Sequence, residues 1–198
     1  MSENSTPERV VLLDEQHQPT GTALKSEVHT EATPLHLAFS CHVLNPDGRV
    51  LVTRRALSKR TWPGVWSNSF CGHPGPDESF EDAIARRARQ ELGLQIRDLT
   101  LVLPEFQYRA TDATGVVENE FCPVYVAATD ADPRPAETEV AEFAWTAPRD
   151  LVAAVTSAPY AFSPWLAEQL REPTLPASPA CGCCTGPRRS RSPCTGAT

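Results

Sequence analysis

No apolar run in these 198 residues approaches the ~20 residues that a helix needs to cross a bilayer. The opening Met1-Ser2-Glu3-Asn4-Ser5 lacks the basic and apolar regions of an export signal. Lys and Arg are in deficit, 18 against 25 Asp and Glu, for a formal net charge of -7. A nucleic-acid binder needs the opposite balance to neutralise phosphates, so that class is excluded together with a membrane-spanning one. A local basic pocket for a small phosphorylated ligand is still compatible with this charge. Cysteine is sparse where a disulfide framework would need it. Cys181, Cys183, Cys184 and Cys194 crowd the C-terminal end, and the body holds only Cys41, Cys71 and Cys122. An odd number at wide spacing, with no export signal, points to free thiols in a reducing cytoplasm.

What is present suits one globular domain: 40% apolar and 22% charged residues in a chain long enough to bury one core. The expected domain is 1–171. Residues 172–198 are rich in Pro, Ser, Gly, Arg and Cys and carry one Leu. Such a segment cannot offset its ordering entropy by burial, so it reads as a disordered tail. Its Cys-x-Cys-Cys spacing fits no common zinc template. Arg9–Leu13 suits a strand. In 35–44, Leu35, Leu37 and Phe39 alternate with His36, Ala38 and Ser40. Asn45-Pro46-Asp47-Gly48 is a turn signal, and Val50–Thr53 returns as the hairpin partner. Phe80, Ala83, Ile84, Ala88 and Leu92 recur at helical spacing over 79–92, and Gly93 is placed to cap that helix. Further strands are expected at 99–103, 106–110, 118–127 and 140–146, and short helices near Pro148 and Ser163-Pro164. The fold class is α/β (α+β): a sandwich with one long central helix on a mixed sheet.

The stretch Gly72 to Leu94, GHPGPDESFEDAIARRARQELGL, resembles the Nudix box. Gly72, Glu78, Arg86, Glu91, Gly93 and Leu94 fall in place, while Arg87 and Gln90 replace two expected carboxylates. In the box those carboxylates hold a divalent metal against a diphosphate. Their loss argues against ordinary Nudix hydrolysis. Arg87 stands one turn before Glu91 on the same helix face. An Arg beside a metal-binding carboxylate suits a diphosphate held by both; the plainer alternative is a surface ion pair.

Around this helix, TWPGVWSNSFCGHP (61–74), TRRALSK (53–59), Tyr108-Arg109-Ala110, Glu118-Asn119-Glu120 and Phe162-Ser163-Pro164-Trp165 resemble the signature stretches of the type I isopentenyl-diphosphate isomerases. The resemblance runs from about Arg9 to Leu170. It implies a Nudix-like α/β/α sandwich and conversion of isopentenyl diphosphate to dimethylallyl diphosphate, with no nucleic acid, membrane or obligate protein partner.

His29, His36 and His73 with Glu118 and Glu120 form a mixed nitrogen and oxygen set that suits Mn²⁺ or Mg²⁺, or Zn²⁺. Glu118 and Glu120 are two apart on a strand and so share a face. The resemblance assigns these five positions to a divalent-metal site. It also raises Cys71 from an inert thiol to an acid/base, and singles out Arg55 and Lys59 from a basic run. Lys25, Arg55, Lys59 and Arg87 could gather round a diphosphate. Glu91 and the backbone oxygen of Cys71 would hold a second ion, Mg²⁺, bridging to it. Trp165 would face a carbocation, since an aromatic face attracts positive charge. His17, His42, Cys41, Cys122, Trp62, Trp66 and Trp145 read as structural. In the forward direction Glu120, hydrogen-bonded to Tyr108, is expected as the acid and Cys71 as the base. Two rivals stand beside this reading. A Nudix pyrophosphohydrolase would lack two of its carboxylates and have no use for Cys71. A non-enzymatic binding domain would leave the ligand set and the basic cluster unexplained.

Overall fold

A computed structural model of the chain describes residues 7–176. The strands are β1 (Arg9–Leu13), β2 (Pro19–Leu24), β3 (His36–Leu37), β4 (Phe39–Leu44), β5 (Val50–Arg55), β6 (Trp66–Ser67), β7 (Phe70–Gly72), β8 (Arg97–Leu103), β9 (Gln107–Thr111), β10 (Val117–Phe121), β11 (Val124–Ala128) and β12 (Val140–Thr146). The helices are α1 (Lys25–Val28), α2 (Phe80–Leu92), α3 (Pro148–Ser157) and α4 (Pro164–Gln169). Among the described residues no helix is long and apolar enough to cross a membrane.

The expected mixed sheet is in fact two. One runs β2-β1-β3-β10-β9; the other runs β12-β5-β4-β11-β8, with β6 on β5 and β7 on β4. The chain crosses from one to the other three times, between β3 and β4, between β8 and β9, and between β10 and β11. The single strands expected over 35–44 and 118–127 both break, at Ala38 and at Cys122-Pro123. Pro123 has no N–H to give to a ladder. Cys122 N–H turns instead to Phe106 O at 2.8 Å. β3 and β10 pair parallel before the crossing, and β4 and β11 pair parallel after it. Ala38 N–H to Phe121 O and Ser40 N–H to Pro123 O stitch the seam between them.

The expected hairpin of β4 and β5 holds only at its base, Leu44 against Val50. Beyond that the strands part and β6–β7 fills the gap. Thr53 and Arg54 pair with Ser67 and Trp66, while Phe39, Ser40 and Cys41 pair with Gly72, Cys71 and Phe70. Ser69 pins the splay from the middle. Its Oγ accepts from Val43 N–H on one strand and donates to Leu51 O on the other, both at 2.7 Å.

Helix α2 begins at Ser79, whose Oγ accepts from Asp82 N–H at 3.1 Å. Such a cap contributes about 1 kcal/mol. It ends at Gly93 in the left-handed region (φ 63°), where a Cβ would meet Arg134 O at 3.1 Å. Its buried face, Ala83, Ile84, Ala88 and Leu92, packs with Phe39, Cys41, Phe70 and Tyr125. Full burial of a side chain such as Leu92 stabilises by about 1.5–3 kcal/mol. Gly72 lets α2 approach β7 closely, since a Cβ there would lie 2.8 Å from Phe39 and from the Arg87 stem. Helices α3 and α4 supply Leu151, Val155, Trp165 and Leu166 to a second cluster with Val50, Val52 and Tyr108.

Packing continues past Arg171, the expected end of the domain. Thr174 is buried, its Oγ donating to Gln169 O at 2.5 Å, and Leu175 lies against the second cluster. Residues 174 and 175 thus pack on the domain, past the end expected from composition. Cys181, Cys183, Cys184 and Cys194 lie outside the described residues.

Candidate active site

Lys25, His29, Arg55, Lys59, Cys71, His73, Arg87, Glu91, Tyr108, Glu118, Glu120 and Trp165 all line one cavity of about 560 Å³. They reach it from both sheets, from α1, α2 and α4, and from the loops that carry His29, Lys59 and His73. Strand register aligns the first group: His36 on β3 pairs with Glu120 on β10, which pairs with Tyr108 on β9. His29 follows α1 and His73 follows β7.

His29, His36, His73 and Glu120 each offer a ligand atom, all within 4.8 Å of one another. The three Nε2 atoms stand 3.9, 3.5 and 3.0 Å from Glu120 Oε1. His36 Nδ1 lies 2.9 Å from Pro34 O, a pure acceptor, so that nitrogen carries the hydrogen. His36 Nε2 then presents a bare, buried lone pair to a carboxylate, without a hydrogen-bond partner. Acceptor facing acceptor in a buried site is unfavourable unless a cation lies between. The residues therefore fit a divalent metal. The group that converges has four members. Glu118, expected as a fifth ligand, stands outside it, held by Thr61 Oγ at 2.5 Å and Tyr108 OH at 2.7 Å.

Tyr108 OH also lies 2.9 Å from Glu120 Oε2. A phenol has one hydrogen to donate. With two carboxylates in reach, the second contact needs a proton on a carboxyl oxygen, so the triad holds an extra proton. Burial and the neighbouring Glu120 charge raise the Glu118 pKa. Burial would also raise Glu120, but the surrounding imidazoles of His29, His36 and His73 outweigh it and hold this carboxyl well below its usual range.

Cys71 faces Ser40 across the β4–β7 pair, Sγ to Oγ 3.1 Å, and its thiol donates to Asn68 Oδ1 at 3.3 Å. Burial pushes this thiol up to about 12, against the pull of the Ser40 hydrogen bond. Trp165 is buried in the first turn of α4, with the Arg55 guanidinium 5.3 Å from its ring centre. Arg55 is anchored by two N–H bonds to Thr61 O, at 3.1 and 2.9 Å.

The basic residues do gather, three of the four already paired with a carboxylate. Lys25 binds Glu8 at 2.6 Å, Lys59 binds Glu139, and Arg87 binds Glu91 Oε1 through Nε at 2.8 Å. The Arg87–Glu91 pair is buried, not the surface pair weighed above. Glu78 and Arg86 form a two-pronged bridge at 2.7 and 2.8 Å that ties the loop before α2 to the helix. Glu8, Ser40 and Glu139 carried no signal in the sequence, because each reaches the site through long-range pairing; Thr61 lay inside the 61–74 motif without a role. Asn68 lay inside a quoted motif without a role. His17 contacts Gln107 at 2.8 Å, and His42 contacts Gln169 at 3.0 Å, both away from the ligand group.

The NUDIX domain model matches residues 34–166. The Deinococcus radiodurans crystal structure of DR0079 superposes with TM-score 0.64 at 26% identity, over 83% of this chain and 98% of that one. A MutT NUDIX hydrolase from Burkholderia pseudomallei shares the fold, with TM-score 0.55 at 24% identity, over 71% of this chain and 98% of its own. Two curated relatives are much nearer in sequence. The isopentenyl-diphosphate Delta-isomerase of Kocuria rhizophila is 90% identical over 175 residues, 88% of this chain and 97% of the relative. That of Clavibacter sepedonicus is 62% identical over 165 residues, 82% and 86% respectively. The chain belongs to the Nudix superfamily and, within it, to the type I isopentenyl-diphosphate Delta-isomerase family.

Proposed function

We propose that the protein isomerises isopentenyl diphosphate to dimethylallyl diphosphate in the cytoplasm. The observation that carries this reading is one cavity lined both by a proton-bearing carboxyl–phenol triad and by a half-buried thiol, beside a buried indole ring. An unactivated alkene is a poor base, so its protonation requires a fixed donor in a dry pocket.

Glu120, once the triad's extra proton has passed to it from Glu118 through Tyr108, gives a proton to the terminal alkene carbon. The π electrons form the new C–H bond and leave a tertiary cation. Trp165 faces that cation with its ring. Cys71 removes a proton from the neighbouring methylene, and those C–H electrons become the new double bond. Burial holds the thiol protonated in the unliganded pocket, the form the reverse reaction uses; forward turnover needs the thiolate, toward which the Arg55 charge adds a minor pull. Lys25, Arg55, Lys59 and Arg87 clamp the diphosphate, and its remote binding energy holds the reacting carbons in register.

His29, His36, His73 and Glu120 would hold Mn²⁺ or Mg²⁺, or Zn²⁺, with Glu118 as a further ligand on turning from Thr61. Glu91 and the Cys71 carbonyl would hold Mg²⁺ against the diphosphate. Bound there, such cations supply positive charge that orders the carboxylates and neutralises the phosphate oxygens.

The test is turnover in D₂O. Carboxyl, phenol and thiol hydrogens exchange with water, whereas carbon-bound hydrogens of the substrate do not. The product should carry deuterium in the methyl group formed at the terminal carbon, with no release of inorganic phosphate. Isomerised product free of label would defeat the two-group mechanism. Phosphate release without isomerised product would defeat the assignment.

A further inference from the structure

Cys71 and Trp165 come from separate parts of the chain, and a single atom touches both. Asn68 Oδ1 accepts from Trp165 Nε1–H at 2.9 Å, from Ser67 Oγ–H at 2.9 Å and from the Cys71 thiol at 3.3 Å. The indole can only donate, so the orientation of the amide is fixed. Its Nδ2 agrees, giving both hydrogens to backbone carbonyls, Phe70 O at 2.7 Å and Cys41 O at 3.2 Å. Asn68 is 1% exposed and sits where β6 passes into β7, inside the wedge that parts β4 from β5. On the far side of the sulfur, Gln169 Nε2 donates to Ser40 Oγ at 2.9 Å, which leaves the Ser40 hydroxyl hydrogen for Sγ. The thiol is therefore held from two directions, and the direction of its hydrogen is set by Asn68.

We infer that Asn68 is a positioning residue whose amide oxygen sets the Cys71 thiol and the Trp165 ring in fixed relation to one reacting carbon centre. This rests on the reading that Cys71 moves the proton and Trp165 faces the cation. The chemistry needs both together, because the cation exists only while the proton transfer is under way. Two groups tied to one oxygen keep their mutual geometry when either moves. Trp165 has other supports, Trp62 edge-on at 5.5 Å and Tyr108 at 5.6 Å, so losing the anchor loosens its aim without removing the ring. The diphosphate clamp draws on none of these atoms.

The test uses the full chain with ¹⁵N-labelled tryptophan, the four indole N–H resonances being assigned by single Trp→Phe variants. Asn68→Ala should lower kcat by about ten- to a hundredfold, with KM for isopentenyl diphosphate within about twofold of wild type. A role in folding alone would instead scale activity with the folded fraction read by circular dichroism. In Cys71→Ala, which leaves Asn68 and the core intact, the Trp165 indole resonance should shift, because the oxygen it bonds has lost a competing donor. An Asn68→Ala kcat within twofold of wild type, or a KM that rises in step with the loss of kcat, overturns the inference. A Trp165 resonance that ignores Cys71→Ala overturns it too, and this outcome decides the matter if Asn68→Ala does not fold. Full turnover by Cys71→Ala would instead sink the underlying reading of Cys71, and the inference with it.

Discussion

Removing divalent metal from the purified protein should lower its melting temperature by an amount that tracks the logarithm of metal concentration. The reason lies in the three imidazole nitrogens set 3.0, 3.5 and 3.9 Å from one Glu120 oxygen. In the unfolded chain these groups are scattered, so the cation binds the native state and stabilises it by mass action. At a hundredfold excess over Kd that linkage contributes about 2.7 kcal/mol, and each further tenfold adds about 1.4 kcal/mol. A chain of this size melts about 2–4 °C higher per kcal/mol, so saturation should shift the transition by about 5–11 °C. Differential scanning fluorimetry across a metal series, after exhaustive chelation, reads this directly. His36→Leu removes the bare nitrogen at nearly constant volume and should flatten the series. Protons compete for the same lone pairs. Burial would lower the His36 pKa, but the Glu120 contacts outweigh it and raise it above the ordinary 6.5. Proton competition therefore begins above that value, and the metal-dependent shift should shrink as pH falls through it. If chelation leaves melting unchanged, or His36→Leu keeps the full series, the metal reading of these residues is wrong.

Cys71→Ala should fold normally and lose nearly all isomerase activity, with Cys71→Ser close behind because a hydroxyl is a far weaker acid; wild-type kcat in both would move the proton-transfer role elsewhere. A chain ending at Pro176 should melt with the full-length protein, whereas one ending at Arg171 loses the buried Thr174 bond and the Leu175 contact and should melt lower; equal melting of the two truncations would sink this. His42 is buried, with Nδ1 lacking a partner, and burial holds its pKa down to about 4 from 6.5. The unfolded chain takes up that proton first as pH falls, so native stability should drop by about 2 kcal/mol between pH 6.5 and pH 5. Urea unfolding of wild type and His42→Leu at both values checks it, since equal losses would remove His42 as the source.

Features decided by near neighbours were legible in the sequence. Ser79 and Gly93 bracket α2 because caps act within one turn, and the apolar stripe between them needed no partner to be recognised. The site residues were legible through motif resemblance, which carried His29, His36, His73, Cys71 and Trp165 without any geometry. Long-range pairing was not. The break at Cys122-Pro123 follows from one missing N–H, yet its consequence, a change of sheet, depends on Phe106, 16 positions upstream of Cys122. The wedge β6–β7 depends on Ser69 bridging Val43 and Leu51. Nothing in the composition of 172–176 shows that Thr174 reaches back to Gln169. The resemblance offered Glu118 as a metal ligand, and nothing in its spacing shows that Thr61 and Tyr108 would hold its carboxyl.

The same fold serves hydrolases, so the reason this chain would isomerise must lie in particular side chains. Cleaving a diphosphate in the Nudix manner needs several helix carboxylates free to gather metal along α2. Here Arg87 takes one of those positions and turns its guanidinium onto Glu91, 2.8 Å away in a buried pair, while Gln90 takes another. The helix is left with a cation where metal-binding charge would be concentrated, which suits holding a diphosphate more than breaking it. The groups proposed to move protons lie off the helix instead, on two sheets. Glu120 and Tyr108 belong to the first and Cys71 to the second, and the two parallel pairs on either side of Ala38 and Cys122 join them. Backbone ladders, stiffer than loops, thus fix the separation of the two proton-handling groups. Arg87 and Glu91 lie off those ladders, on α2, where the Arg87 stem packs against Gly72 beside Cys71.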